Sequence, residues 1–404
     1  MWMESTARGQ SPQWMDAHLP TMFECMKAFG APILHYKVCS TFDSSPTVGS
    51  IGRAVDIGCG FMPGRWSPMV VGAPRLKRYQ AFGNLFAIAD GVGHRLDRHP
   101  TMSQHPVTPM READLRRHLA LQTQRRVELI DLTQLSAGQG EARRDALAGD
   151  DKPVVLLDVI DDATLAEAGR LIWQGRGEGH GQGLFSASSC GLQYALAAHW
   201  RSRGLLPVQP SLPKADAAEA IGVVSGSCSP VTAAQIAWAR AQGFHMQRLD
   251  VAQALDAAAG PEQIERIVAA AAHALREGRS PVVYSAEGPA DSAVTTFDAT
   301  AAAHGVTRAE AGQRVSSALA QVMRGLLDRV PALRRVVVAG GDSSGAVAGV
   351  LGITALSVQA GLAPGAPLFR AWSDVAQRDG LEIVLKGGQI GGPGFLGAVR
   401  SGAA

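Results

Sequence analysis

Short apolar runs that stop at glycine- or hydroxyl-rich turns, then give way to a helical stripe, recur along this chain. In the first half, runs at residues 33–38, 67–71, 82–90, 127–132, 153–159 and 184–187 predict strands. Residues 14–29 place Leu19, Met22, Phe23, Met26 and Phe29 on one helical face, which expects Pro20 near the first turn. Further helices are expected over 112–122, from Asp161 or Asp162 to about Trp173, and from Gly191 to Trp200. Residues 201–217 carry Pro207, Pro210 and Pro213 with no periodicity and read as a linker. Beyond it the grammar restarts, with strands at 221–224, 244–249, 281–285, 336–338, 355–358 and 381–385. Helices are expected between them over 231–242, 261–277 and 309–330, with a short one over 394–400. This alternation predicts an α/β fold: two Rossmann-like α/β domains with mostly parallel sheets flanked by helices. The expected boundaries are 1–205, a linker over 206–217, and 218–404.

Composition narrows the class. The chain has 404 residues, 46% hydrophobic and 18% charged, enough to bury two real cores. A net charge of +2 with scattered basic residues argues against a nucleic-acid partner. Cys25, Cys39, Cys59, Cys190 and Cys228 form no CxxC and no paired spacing, which predicts reduced thiols in a cytoplasm. No apolar run reaches the roughly 18 residues of a membrane span, and the N-terminus has no signal-peptide pattern. A cytoplasmic protein without a membrane partner is the expectation.

Three turns in the second half carry candidate chemistry. In VVVAGGDSSGAV a buried strand stops at Gly340-Gly341, and Asp342, Ser343, Ser344 and Gly345 open a helix that Asp or Ser is expected to cap. Such a turn brings backbone N–H groups and the positive helix end to an anion, of which phosphate is the obvious one. It is neither a Walker loop nor a clean GxGxxG, and a tight connection without a ligand would look the same. Lys386-Gly387-Gly388-Gln389-Ile390-Gly391 forms a second glycine loop after a strand. Ser225-Gly226-Ser227-Cys228-Ser229 forms a third, with Pro230 at the first helical position. All three follow strand ends, where open α/β sheets bind ligands.

The first half has its own polar strand end, KVCSTFDSSP, in which Lys37, Ser40, Asp43 and Ser44 suit an anion or polyol. A capped polar loop reads equally well from the spacing. His94, Asp97, His99 and His105 raise a metal site, but their spacing fits no familiar zinc set and three prolines stiffen the loop. A loop presenting Arg and His to an anionic substrate fits better, since both donate hydrogen bonds to carboxylate. The identity of any metal ligand stays unknown at this level.

These pieces together resemble the four-carbon acid sugar kinases, a two-domain family once described as a domain of unknown function. The matching stretches are KVCSTFDSSPTVGSIG, HPVTPM, SSCGLQYAL, VSGSCSPVTAAQI, VVAGGDSSGAV and LKGGQIGGPGF, in matching order over nearly the whole chain. The resemblance implies an N-terminal domain for the acid sugar and a C-terminal domain for ATP. The implied reaction is ATP-dependent phosphorylation of a hydroxyl of a tetronate-like or 3-oxo-isoapionate-like acid, with Mg²⁺ bridging phosphates. It implies Lys37, Ser40, Asp43, Ser44, His105 and Thr108 at the sugar, with Asp43 or His105 as candidate base. It implies Ser225, Gly226, Ser227, Ser229, Gly340, Gly341, Asp342, Ser343, Ser344, Gly345, Lys386, Gly387, Gly388 and Gly391 at the nucleotide.

Three features depart from the family pattern. The Asp-Asp-Phe/Leu-Thr-Gly motif expected to supply a catalytic acid does not occur, as if an opening segment were absent. Asp342 stands where the family usually has Glu, and Lys386-Gly387-Gly388-Gln389-Ile390-Gly391 replaces Lys-Ser-Gly-Asn-Phe-Gly. The first departure keeps a second reading open, a non-catalytic nucleotide or acid-sugar binding protein or an inactive truncated kinase. It also predicts an uncovered sheet edge, which a homodimer would cover. A dehydrogenase reading lacks its GxGxxG and acidic partner.

Overall fold

Buried parallel strands are apolar on both faces, because helices cover both. Val154, Val155, Leu156 and Leu157 are all buried, and alternate residues enter different cores. Val154 and Leu156 join a cluster with Phe23, Val55 and Phe185, whereas Val155 and Leu157 join one with Leu165, Leu171 and Leu192. The computed structural model describes residues 6–89, 91–104, 107–177, 182–207 and 213–402. The chain divides into two compact units, Met1–Pro210 and Ser211–Ala404.

The first unit begins α1 (Pro12–Lys27), β1 (Ile33–Lys37), α2 (Ile51–Gly58), β2 (Ser67–Met69), β3 (Arg78–Ala81), β4 (Asn84–Ala89) and β5 (Val92–Arg95). It continues with α3 (Leu115–Ala120), β6 (Val127–Ile130), α4 (Leu132–Ser136), α5 (Gly140–Leu147), β7 (Val154–Leu157), α6 (Asp162–Gln174), β8 (Leu184–Ser188) and α7 (Cys190–Ser202). β1 pairs with β8, and β2, β7 and β6 form a second parallel set. Serine hydroxyls knit β2 to β8: Ser67 Oγ donates to Phe185 O at 2.9 Å and Ser186 Oγ to Pro68 O at 2.7 Å. β3, β4 and β5 form an antiparallel meander.

The second unit begins β9 (Gly222–Ser225), α8 (Pro230–Ala241), β10 (His245–Arg248), α9 (Val251–Leu255), α10 (Ala259–Arg276), β11 (Pro281–Tyr284), α11 (Ser292–Thr295) and α12 (Phe297–Ala303). It ends with α13 (Arg308–Arg329), β12 (Arg335–Ala339), α14 (Gly341–Val350), β13 (Ile353–Ala363), β14 (Ala366–Ser373), β15 (Glu382–Lys386) and α15 (Phe395–Ser401). Its sheet runs β10-β11-β9-β12-β15-β14-β13, parallel except for the last two strands. Val336 and Val338 face α10 and α13, while Val337 faces α8 and α15.

Both units therefore have the α/β architecture with mostly parallel sheets that the alternation predicts. Several local expectations are corrected. Pro20 lies in the middle of α1, not its first turn, because Ser11 caps the helix and Pro12 starts it. The helix expected over 112–122 is only Leu115–Ala120, because Asp114 takes the cap by accepting from Arg116 N. The strand at 355–358 is part of a long antiparallel hairpin, which local periodicity did not signal. Residues 208–212 of the expected linker lie outside the described residues. Among those described, no helix is long and apolar enough to cross a membrane.

Candidate active site

In the second unit, β9, β12 and β15 are adjacent and parallel, so their C-terminal ends present three loops side by side. Register places Ser225, Ala339 and Lys386 at one level. Gly226 N donates to Ala339 O at 3.0 Å and Gly340 N to Lys386 O at 3.0 Å, so each loop is tied to the next. The outer pair is tied by α8: Thr232 Oγ1 donates to Gly388 O at 3.0 Å, and Gln235 Nε2 to Ile390 O at 3.0 Å and Gly392 O at 3.1 Å. Gly388 has no room for a side chain, since a Cβ would lie 2.5 Å from Ser227 Oγ.

The expected Asp or Ser cap on α14 is corrected. Gly340 occupies the cap with φ +117°, a conformation that glycine reaches without strain, and no side chain caps the helix. The N–H groups of Gly341, Asp342 and Ser343 consequently have no partner among the described residues. Asp342, Gly341 and Gly345 are exposed, while Ser343 and Ser344 are buried, Ser344 Oγ donating to Gly340 O at 2.7 Å. Ser225 Oγ is buried with no hydrogen-bond partner among the described residues. Ser229 caps α8 through Thr232 N, Gly387 is exposed, and Gly391 packs against Phe395 and Gln235.

Lys386 is the unusual group. It is 1% exposed, its Nζ donates to Thr232 Oγ1 at 3.2 Å, and no carboxylate lies within ion-pair distance among the described residues. Burial alone pulls its ammonium from 10.5 down to about 8. A buried cation without an anion, beside unpartnered N–H groups and an orphaned hydroxyl, forms a cradle suited to phosphate. These residues fit a nucleotide's phosphates. For Mg²⁺ the fit is thinner: no group of three His, Cys, Asp or Glu exists among the described residues, and Asp342 is the exposed carboxylate at the cradle. Mg²⁺ commonly needs only one or two carboxylates besides phosphate and water.

In the first unit, the expected sugar loop leaves the end of β1. Phe42 is fully buried with φ +56°, a left-handed conformation that costs of order 1–3 kcal/mol in a non-glycine residue. The reversal turns Asp43 inward, where its side chain is wholly buried; Thr41 Oγ1 and Arg8 Nη2 both donate to its carboxylate at 2.5 Å. Ser44 is buried against α3: Gln122 Nε2 donates to Ser44 Oγ at 2.9 Å and to His118 Nε2 at 3.0 Å. His118 Nε2 therefore accepts, which makes its ring neutral with the proton on Nδ1, and burial lowers its pKa accordingly. Lys37 is exposed and Ser40 half-buried in the same loop. Thr108 is buried on a segment that Met110 N closes by donating to Met102 O. His105 lies outside the described residues.

The histidine-rich stretch is otherwise engaged structurally. His99 Nδ1 accepts from Thr101 N and Met102 N, and Arg95 pairs with Asp97 at 2.6 Å. Sequence reasoning missed Thr232, Gln235, His118 and Gln122. Only Thr232 left a signal, a hydroxyl in the first turn of a helix behind a serine-rich loop.

His35 was also missed. Its Nε2–H donates to Ser188 O at 2.9 Å across the β1–β8 end, and burial lowers its pKa to about 4. Between pH 6.5 and 4 the unfolded chain binds this proton and the folded chain does not, so stability present above pH 6.5 is lost as pH falls. The difference corresponds to about 3 kcal/mol. Acid melts of His35→Gln, which retains a donor, should be flatter over this window than those of the unchanged protein.

The fold is one of two α/β units, with polar loops at the ends of parallel strands. Residues 1–196 match the Sugar-binding N-terminal domain family and residues 223–396 the Nucleotide-binding C-terminal domain family. A "3-oxo-isoapionate kinase" of Paraburkholderia graminis is 66% identical over 400 residues, covering 99% of this chain and 84% of the relative. A "3-oxo-tetronate kinase" of Methylobacterium radiotolerans is 34% identical over 375 residues, covering 92% and 81%. A solved structure from Salmonella typhimurium LT2 shares the fold with a TM-score of 0.73 at 23% identity, covering 98% of this chain and 88% of its own. The chain belongs to the four-carbon acid sugar kinase family and is a phosphotransferase.

Proposed function

We propose that this kinase uses ATP with Mg²⁺ to phosphorylate a hydroxyl of 3-oxo-isoapionate or a closely similar branched oxo acid. The observation that carries phosphoryl transfer is Lys386, a buried ammonium with no counterion among the described residues, at the junction of three strand-end loops. The higher identity to the 3-oxo-isoapionate kinase than to the 3-oxo-tetronate kinase supports the branched substrate.

In this reading the N–H groups of Gly341, Asp342 and Ser343 and the Gly387–Gly388 turn hold the phosphates. Lys386 offsets their charge, and Thr232 aims the ammonium. Asp342 would hold Mg²⁺, which when bound supplies charge neutralisation between phosphates. In the other unit, Lys37 faces the substrate carboxylate and Asp43 accepts the proton of the attacking hydroxyl, once Arg8 yields its place. Ser40, Ser44, Thr108 and His105 complete the sugar contacts.

The test is ADP release with ATP and Mg²⁺ across 3-oxo-isoapionate, 3-oxo-tetronates and uncharged sugars. The expected result is the highest kcat/KM on 3-oxo-isoapionate. ATP binding without turnover on any acid would replace this reading with that of a binding protein.

A further inference from the structure

Arg78 opens β3 with an incompletely satisfied guanidinium. Its Nη1 donates to Leu76 O and Lys77 O, each at 3.1 Å, while Nε is buried with no acceptor among the described residues. No carboxylate lies within ion-pair distance of it among the described residues. Arginine cannot shed its proton to relieve such a position, so it stays a cation in want of an anion.

Three contacts set this cation at the start of α7. Arg78 and Ala73 form an antiparallel bridge, Ala73 N donating to Arg78 O at 2.9 Å. One residue before Ala73, Gly72 O lies so near Gly191 that a Cβ there would be 2.2 Å away. One residue earlier again, Val71 O accepts from Ser189 Oγ at 2.7 Å. From the other side, β1 places Lys37 in register with Ser188, and Val38 N donates to Ser188 O at 2.8 Å. Cys190, the first residue of α7, feels the charge of Lys37, and Arg78 feels both Cys190 and Cys39. Two cations from different strands thus flank one helix start beside the sugar loop. The nearest acid of that loop, Asp43, is already engaged by Arg8 and Thr41.

We propose that Arg78 is a substrate-binding residue that clamps the carboxylate of the acid sugar, with Lys37 as the second cation. This rests on the acid sugar reading above. A planar guanidinium fork matches a carboxylate in two parallel hydrogen bonds, whereas Lys37 supplies only a point charge. The clamp makes Arg78 the determinant of acid over neutral substrates.

The experiment compares the unchanged protein with Arg78→Ala and Arg78→Lys, on 3-oxo-isoapionate and on its carboxamide. Turnover is read together with calorimetric binding of each ligand. KM and Kd for the acid should rise by about tenfold to a hundredfold in Arg78→Ala with kcat and the KM for ATP little changed, and Arg78→Lys should recover part of the loss. The preference for acid over carboxamide should collapse with it. An equal loss on acid and carboxamide would mean a structural role and overturn the proposal, as would unchanged KM and Kd for the acid. Turnover with no Arg78 effect leaves the kinase reading standing and sinks only the clamp. Binding without turnover sinks the kinase reading, and the Arg78 effect on Kd still decides the clamp. Failure of the unchanged protein to bind the acid overturns both. Thermal melts of both variants identify any that fail to fold.

Discussion

Lys386→Met should lose about 10²–10³-fold in kcat/KM with ATP while the free protein becomes more heat-stable. The two effects have one cause. Burial has pulled the ammonium from 10.5 to about 8, so holding it charged in the free protein costs about 3 kcal/mol at neutral pH. Methionine fills a similar volume without a charge, and Thr232 Oγ1 retains Gly388 O and Ser227 Oγ as acceptors. The charge pays off only when phosphate arrives. The pH dependence follows from the same depression. Below pH 8 both folded and unfolded chains hold the proton and the cost is full. From about 8 to 10.5 the folded protein releases it first, so stability rises with pH. Over that window the cation is lost from the free protein, so the KM for ATP should rise above pH 8 in the unchanged protein and stay flat in Lys386→Met. Calorimetric melts and ADP-release assays across pH 6 to 10 read both effects together (about the usual working range for such groups). Retention of activity within about threefold would remove Lys386 from the phosphate site.

Asp43→Asn should lower kcat by about 10²–10⁴-fold, with some loss of fold stability beside it. Asparagine keeps the shape and the Oδ1 acceptor for Thr41 but cannot take a proton from the sugar hydroxyl. Because the Asp43 side chain is wholly buried, the exchange also costs stability: Arg8 Nη2 is left facing the amide Nδ2, a donor against a donor. Rapid-quench turnover and a thermal melt of the same sample separate chemistry from folding. A kcat within about twofold of the unchanged protein would place the base elsewhere, with His105 the next variant to make.

Much of the architecture was legible because buried parallel strands and their crossover helices leave strong local patterns. Val336-Val337-Val338 before Gly340 reads as a strand entering a turn from the sequence alone, and it is one. The glycines and serines of the three strand-end loops were legible for the same reason: close backbone approach restricts the residue type locally. Other features were not. Pro20 sits inside α1 because the cap at Ser11 lies upstream of the apolar stripe used to find the helix. The β13–β14 hairpin carries mixed exposure that no simple period describes.

By itself the sequence determined two α/β units, the strand-end positions of the polar loops, and a resemblance that the relatives bear out. Only the tertiary structure decided which charges stand uncompensated. Nothing local distinguishes Lys386 from an exposed lysine; it is buried because β15 lies beside β12 and its side chain meets Thr232, 154 residues away in sequence. Arg78 is bridged to Ala73, and nearby Val71 meets Ser189 at the start of α7, 118 residues away in sequence. Strand order in a sheet covered on both faces leaves no trace in periodicity, since every central strand is equally apolar. Desolvation depends on that order, and so do the charges available for binding.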